Sequence, residues 1–207
     1  MIVFRFLVVA CRRTKAGDSM KRWLALGLVV FGLSACSVPP LDFTPPSVDL
    51  AQNRINAQLQ ALTVSIADTD DRTGEIEAAG AEADVIELWE SAFEDSIARS
   101  NLFMDGSMNN VSLIVTIREL DCPPIGIDFT CEAGARYEMI NRATGATIYV
   151  AEILTTGLSP ASDAFYGFVR ARQAGSRAVQ NNIVEFLADI QNARIRLPST
   201  PSSVPSA

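Results

Sequence analysis

Residues 23–33, WLALGLVVFGL, form an unbroken apolar run, and nothing else in the sequence constrains the fold as much. With 11 residues the run is too short to cross a hydrocarbon core, which takes about 20. It comes after Met20-Lys21-Arg22 and ends on small residues directly before a cysteine, Leu33-Ser34-Ala35-Cys36. A basic start, a short apolar middle and a small-residue end mark a secretory signal, which is removed before the protein folds. The fold is therefore expected to be built from the residues after 35, in an oxidising compartment. Residues 1–19 hold a weaker copy of the pattern, ending Val9-Ala10-Cys11, with Arg12, Arg13 and Lys15 on the wrong side of it. Translation is expected to begin at Met20, and residues 1–35 are set aside as signal peptide.

The tetrapeptide Leu33-Ser34-Ala35-Cys36 resembles the lipobox of bacterial lipoproteins. The resemblance implies that the Cys36 thiol takes a diacylglycerol, that the signal is cut just before it, and that the new N-terminus is acylated, with palmitate as a typical chain. A thiol is needed because the thioether forms on sulfur, and small neighbours let the peptidase close around the bond. Ser37, in place of an Asp, resembles the sorting pattern of outer-membrane lipoproteins. This implies an anchor in the outer membrane, with the domain facing the periplasm.

Charge narrows the partners. Residues 1–35 carry six of the 17 basic and one of the 24 acidic residues, leaving 11 arginines against 23 acids from Cys36 on. A net charge of −12 lacks the positive footprint that nucleic acid requires. It also disfavours adhesion to anionic lipid, so membrane contact is expected through acylated Cys36. The absence of histidine removes histidine-based triads and the commonest metal ligand. No cofactor and no metal are expected. The acids Asp68, Asp70, Asp71 and Glu75 fail the calcium-loop spacing, because Gly74 comes too late. Cys122 and Cys131 are the remaining cysteines of the exported chain, with no further thiol or imidazole to complete a zinc site, and a disulfide is expected between them.

Along the chain, Ser37–Asp49 holds four prolines without helical or strand period. Residues 36–58 thus read as a lipidated N-terminus and an extended, semi-rigid tether. A domain is expected over 59–195 and a disordered tail over 196–207. Leu62, Val64 and Ile66 alternate as a strand, and residues 68–84 read as a solvated acidic loop. Asp84 is expected to cap a helix to Ser100 whose apolar face carries Val85, Trp89, Phe93 and Ile97. Val111, Leu113, Val115 and Ile117 mark a second strand, and residues 135–154 a hairpin turning at Gly145. A helix is expected from Ser162 to Asn192, with Ala171, Ala174, Gly175 and Ala178 allowing close approach to a sheet. The order predicts an α+β fold: a single small domain with an antiparallel or mixed sheet of about four strands and two helices packed on one face.

That order, with the lipobox, the SNLF helix exit at Ser100–Phe103 and the helix RAVQNNIVEFLADI, resembles small Gram-negative envelope lipoproteins. These include the auxiliary lipoproteins of ABC-type transport and domains like the N-terminal domain of TolB. The resemblance implies a non-enzymatic binding or accessory subunit of an envelope assembly or transport system, with an envelope protein as partner. A structural lipoprotein without a dedicated ligand is the alternative. A carboxylate-based enzyme is a further one, although no nucleophile elbow or phosphate-binding glycine loop is present and no catalytic residue is assigned. Arg170, Arg172 and Arg177 form the local basic cluster, read either as a partner-binding surface or as charges offsetting carboxylates such as Asp163.

Overall fold

The computed structural model describes residues 40–76, 82–193, 195 and 197. Cys36, the signal and most of the tail lie outside the described residues. The architecture is the expected α+β one: strand β1 (Gln58–Ile66), helix α1 (Glu82–Ser100), strands β2 (Asn110–Asp121), β3 (Phe129–Asn141) and β4 (Thr147–Ser159), then helix α2 (Gly167–Asn192). The sheet order is β1-β2-β3-β4, with β1 parallel to β2 and the other two pairings antiparallel. The parallel pair needs a crossover, which α1 supplies.

Period-two burial decides the register. Val111, Leu113, Val115 and Ile117 are fully buried on the helix side, opposite Leu59, Leu62, Val64 and Ile66 of β1. A one-residue slip would turn all of them to solvent. Between sheet and helices, Phe93 of α1, Tyr137 of β3 and Phe186 of α2 stack with centroids 4.4–5.6 Å apart. Gly157 on β4 explains how closely α2 settles: a Cβ there would meet the backbone of Ala174 and Ala178 at 2.2 Å. The small residues of α2 thus have a small partner on the sheet.

Four expectations need correction. The compact unit begins at Pro40, not residue 59. Leu41 and Phe43 are buried, and Phe43 meets Trp89 edge-on at 6.1 Å. Ser176 Oγ accepts the Asp42 N–H (3.3 Å), and Gln180 Nε2 donates to Asp42 O (2.9 Å). From Leu41 the proline-rich segment is thus part of the core, because its apolar residues cover surface that the helices leave open. The segment at 68–76 is not wholly a solvated loop: after a short 3-10 turn, Thr73 N–H donates to Arg118 O and Leu120 N–H to Glu75 O, extending the sheet beside β2. α1 begins at Glu82, so Asp84 lies inside it rather than at its cap. α2 begins at Gly167, not Ser162, because residues 160–166 form a turn tied to the strand ends.

Two turns agree closely with the sequence. α1 ends at SNLF with Asn101 in the left-handed conformation (φ 53°), a helix exit that Asn tolerates. Arg54 clamps this exit through Asn101 O and Oδ1 (2.9 and 2.8 Å). The hairpin turns at Gly145 (φ 71°), as expected.

Candidate interaction surface

Cys122 and Cys131 are joined, with S–S 2.08 Å and Cα–Cα 4.3 Å. The register places them opposite each other, one step beyond the Asp121–Glu132 pair where the β2–β3 ladder ends while β3 continues beside β4. The bridge closes the loop 122–131, and both sulfurs lie against Ala171 O of α2. At the same end of the sheet, Phe129 pairs with Ser159, so the β2–β3 loop and the β4–α2 turn leave side by side.

Further bonds hold these segments together. Ala161 N–H donates to Asp128 Oδ1 at 2.8 Å, and Arg170 Nη1 donates to Ala164 O and Phe165 O at 2.6 and 3.0 Å. The Arg170 guanidinium also lies 5.6 Å from the Phe129 ring centroid. Arg177 Nη1 meets Asp163 Oδ2 at 2.6 Å and donates to Leu158 O. Two arginines of the cluster are therefore engaged by the turn before α2. Arg172 stands about 200° around the helix from Arg170, so the three do not share one face. Its Nε is buried without a hydrogen-bond partner among the described residues.

The arginines frame a surface that sequence reasoning missed. Phe165 is 90% exposed, Ile125 89% and Ile127 80%, with Tyr166 and Phe168 more than half exposed. The rings of Phe165 and Tyr166 meet at 5.3 Å, and those of Tyr166 and Phe168 at 5.8 Å. The stretches 122–127 (CPPIGI) and 164–168 (AFYGF) contain no charge. Isolated exposed apolar residues are ordinary, but several on adjoining segments form a patch that marks a contact surface. The available signal was AFYGF itself, three aromatics in four residues beside a helix whose buried face uses small residues.

Other surfaces are more mixed. The sheet face away from the helices carries Val150, Leu154 and Leu158 beside a charge ladder in which Arg118 and Arg136 both approach Glu152 Oε1, at 2.9 and 3.6 Å. Such exposed pairs contribute little stability. On that face the buried Glu119 carboxylate accepts from Thr73 Oγ1 at 2.8 Å, under Gly74. A groove of about 540 Å³ runs between the free edge of β1 and the end of α1. In the core, Tyr137 donates to Asn182 Oδ1 (2.6 Å), and Tyr149 to Asp189 Oδ2 (2.6 Å). Burial pushes both phenols well above the ordinary tyrosine range, and the Asp189 carboxylate adds to it at Tyr149. Among the described residues no group of acids and cysteines could hold a metal ion, and no helix is long and apolar enough to cross a membrane.

No protein-family model matches the sequence, and comparison with curated proteins gives no match. Solved structures do resemble it. Protein XCC0632 from Xanthomonas campestris matches with a TM-score of 0.50 at 11% identity, over 74% of this chain and 93% of that one. The PelC dodecamer of Paraburkholderia phytofirmans gives 0.41 at 16% identity, over 73% and 95%. A minor lipoprotein from Acinetobacter baumannii gives 0.39 at 9% identity, over 64% and 93%. What the first of these likenesses establishes is the fold: a four-stranded mixed sheet with two helices packed against it.

Proposed function

We propose that the protein is a lipoprotein of the bacterial cell envelope, held by acylated Cys36 and acting without catalysis as a binding or accessory subunit of an envelope assembly or transport system. The observation that carries this reading is the lipobox ending at Cys36, four residues before the compact unit begins at Pro40. Cleavage there leaves a folded domain joined to its lipid by a very short link. Ser37 directs the anchor to the outer membrane, and the domain faces the periplasm. Its contribution is contact: a charge of −12 and mixed sheet and edge surfaces suit a protein partner better than a nucleic acid.

Crosslinking in intact cells, with recovery of the lipidated protein from detergent-solubilised envelope, tests the accessory role. A discrete envelope protein at fixed stoichiometry is expected. Recovery of the protein alone would favour a structural lipoprotein, a reading to which the intramolecular use of Arg170 and Arg177 already lends weight.

A further inference from the structure

We infer that the disulfide end of the domain is its bilayer-facing end, with Ile125, Ile127, Phe165, Tyr166 and Phe168 entering the membrane interface once the lipid on Cys36 is seated. The inference rests on the lipoprotein reading and adds an orientation and a second membrane contact to it.

Chain length favours this end. Asp42 is held at Ser176, nine residues into α2 from Gly167, or about 13 Å along the axis. From Ser176 to Asn192, at the opposite end, the helix runs about 24 Å. Five residues separate Cys36 from Asp42, and these six Cα–Cα steps span at most about 22 Å when extended. The acylated cysteine can therefore reach the level of the disulfide end with length to spare, and it falls short of the other end. Residues 42 to 53 run away from this end toward Gln191, so the chain enters the domain from the disulfide side.

The chemistry of the end agrees. Aromatic residues with one polar handle, such as Tyr166, favour the boundary between headgroups and acyl chains. The five side chains sit on segments containing no charge, and the acids flanking those segments are Asp121, Asp128 and Asp163, of which Asp128 accepts the Ala161 N–H and Asp163 is paired with Arg177. In a domain of net charge −12, two adjoining apolar stretches without a charge of their own are what let this end approach a membrane. The disulfide, the Asp128 bond and the Arg170 bonds hold the tip in shape beforehand, so little ordering is left to occur on insertion. Zwitterionic lipid is the occupant that fits, because the stretches 122–127 and 164–168 carry no charge of their own and the cation beside them, Arg170, is engaged by Ala164 O and Phe165 O rather than offered to an anionic headgroup.

Tryptophan placement tests this in the full lipidated protein, reconstituted in phosphatidylcholine–phosphatidylethanolamine vesicles. After signal removal Trp89 is the sole tryptophan, and it is fully buried. Phe165→Trp adds a reporter at the tip, Ile125→Trp a second, and Met108→Trp one on the exposed loop before β2 at the opposite end. The tip reporters should shift to the blue on reconstitution and lose at least half of their added emission to lipid brominated at carbons 6 and 7. The Met108→Trp reporter should stay unquenched by lipid and open to iodide. Tip reporters that remain open to iodide in vesicles overturn the inference while leaving the anchor intact. Tip reporters shielded from both quenchers overturn it in favour of a protein-covered surface. A protein that does not float with vesicles and has an unmodified Cys36 by mass overturns the lipoprotein reading, and the orientation with it.

Discussion

Asn182 offers the sharpest test of how the two layers are joined. Its side chain is fully buried between α2 and the sheet, where Oδ1 accepts from Tyr137 (2.6 Å) and Nδ2 donates to Ala133 O and Ile153 O (both 2.9 Å). One residue thereby ties the helix to β3 and β4 at once. Asn182→Ala removes three bonds worth about 1 kcal/mol each and leaves the Tyr137 hydroxyl buried without a partner, a cost of about 1–3 kcal/mol on its own. These overlap, so a loss of about 3–4 kcal/mol is expected, a large share of a total stability of about 5–15. For a domain of this size that corresponds to a fall in Tm of about 8–14 °C. Urea unfolding monitored by Trp89 fluorescence measures it. Pairing Asn182→Leu with Tyr137→Phe completes the test: the double variant should be more stable than the sum of the single losses by about 1–2 kcal/mol, because both members of the bond are then apolar. A loss below about 1 kcal/mol for Asn182→Ala, or strict additivity in the cycle, would refute the bracket.

Packing and ionisation give two further predictions. Gly157→Ala puts a Cβ into the α2 backbone, which cannot swing aside as a side chain would; it should cost about 2–3 kcal/mol or more, whereas Gly145→Ala, in open space at φ 71°, should cost about 1 kcal/mol, both read by thermal unfolding. Tyr137 and Tyr149 are held neutral when folded, mainly by burial. Since their folded pKa values lie above the unfolded value of about 10, their contribution is complete below that pH, and stability should decline as pH rises beyond it. Phenolate absorbance should show these two tyrosines ionising together with unfolding, and ionisation of both in the folded domain would contradict their placement.

The parts of the fold legible in the sequence are those where burial imposes a simple period. Val111 to Ile117 alternate because one sheet face is covered, and Trp89 and Phe93 fall on one helical face because the sheet lies beneath them. The disulfide was legible through the compartment and the lack of other ligands, not through geometry. What escaped depended on contacts distant in sequence. Leu41 and Phe43 look like parts of a tether because their prolines dominate the local composition, yet they fill space created by Trp89 and α2, far along the chain. The arginine cluster was visible as charge, but its acceptors lie at the end of β4 and in the turn after it, whose shape no periodicity announces. Phe165 and Tyr166 were hidden inside an expected helix that starts later, at Gly167, with Phe168 in its first turn.

Cys36 is the residue on which the lipid anchor stands or falls. Intact-mass analysis of the protein extracted from membranes reads it directly. The predicted result is a chain beginning at Cys36, heavier than its sequence by a diacylglyceryl group and an N-terminal acyl chain. A membrane-bound chain that retains residues before Cys36, or one that begins there without lipid, would contradict it.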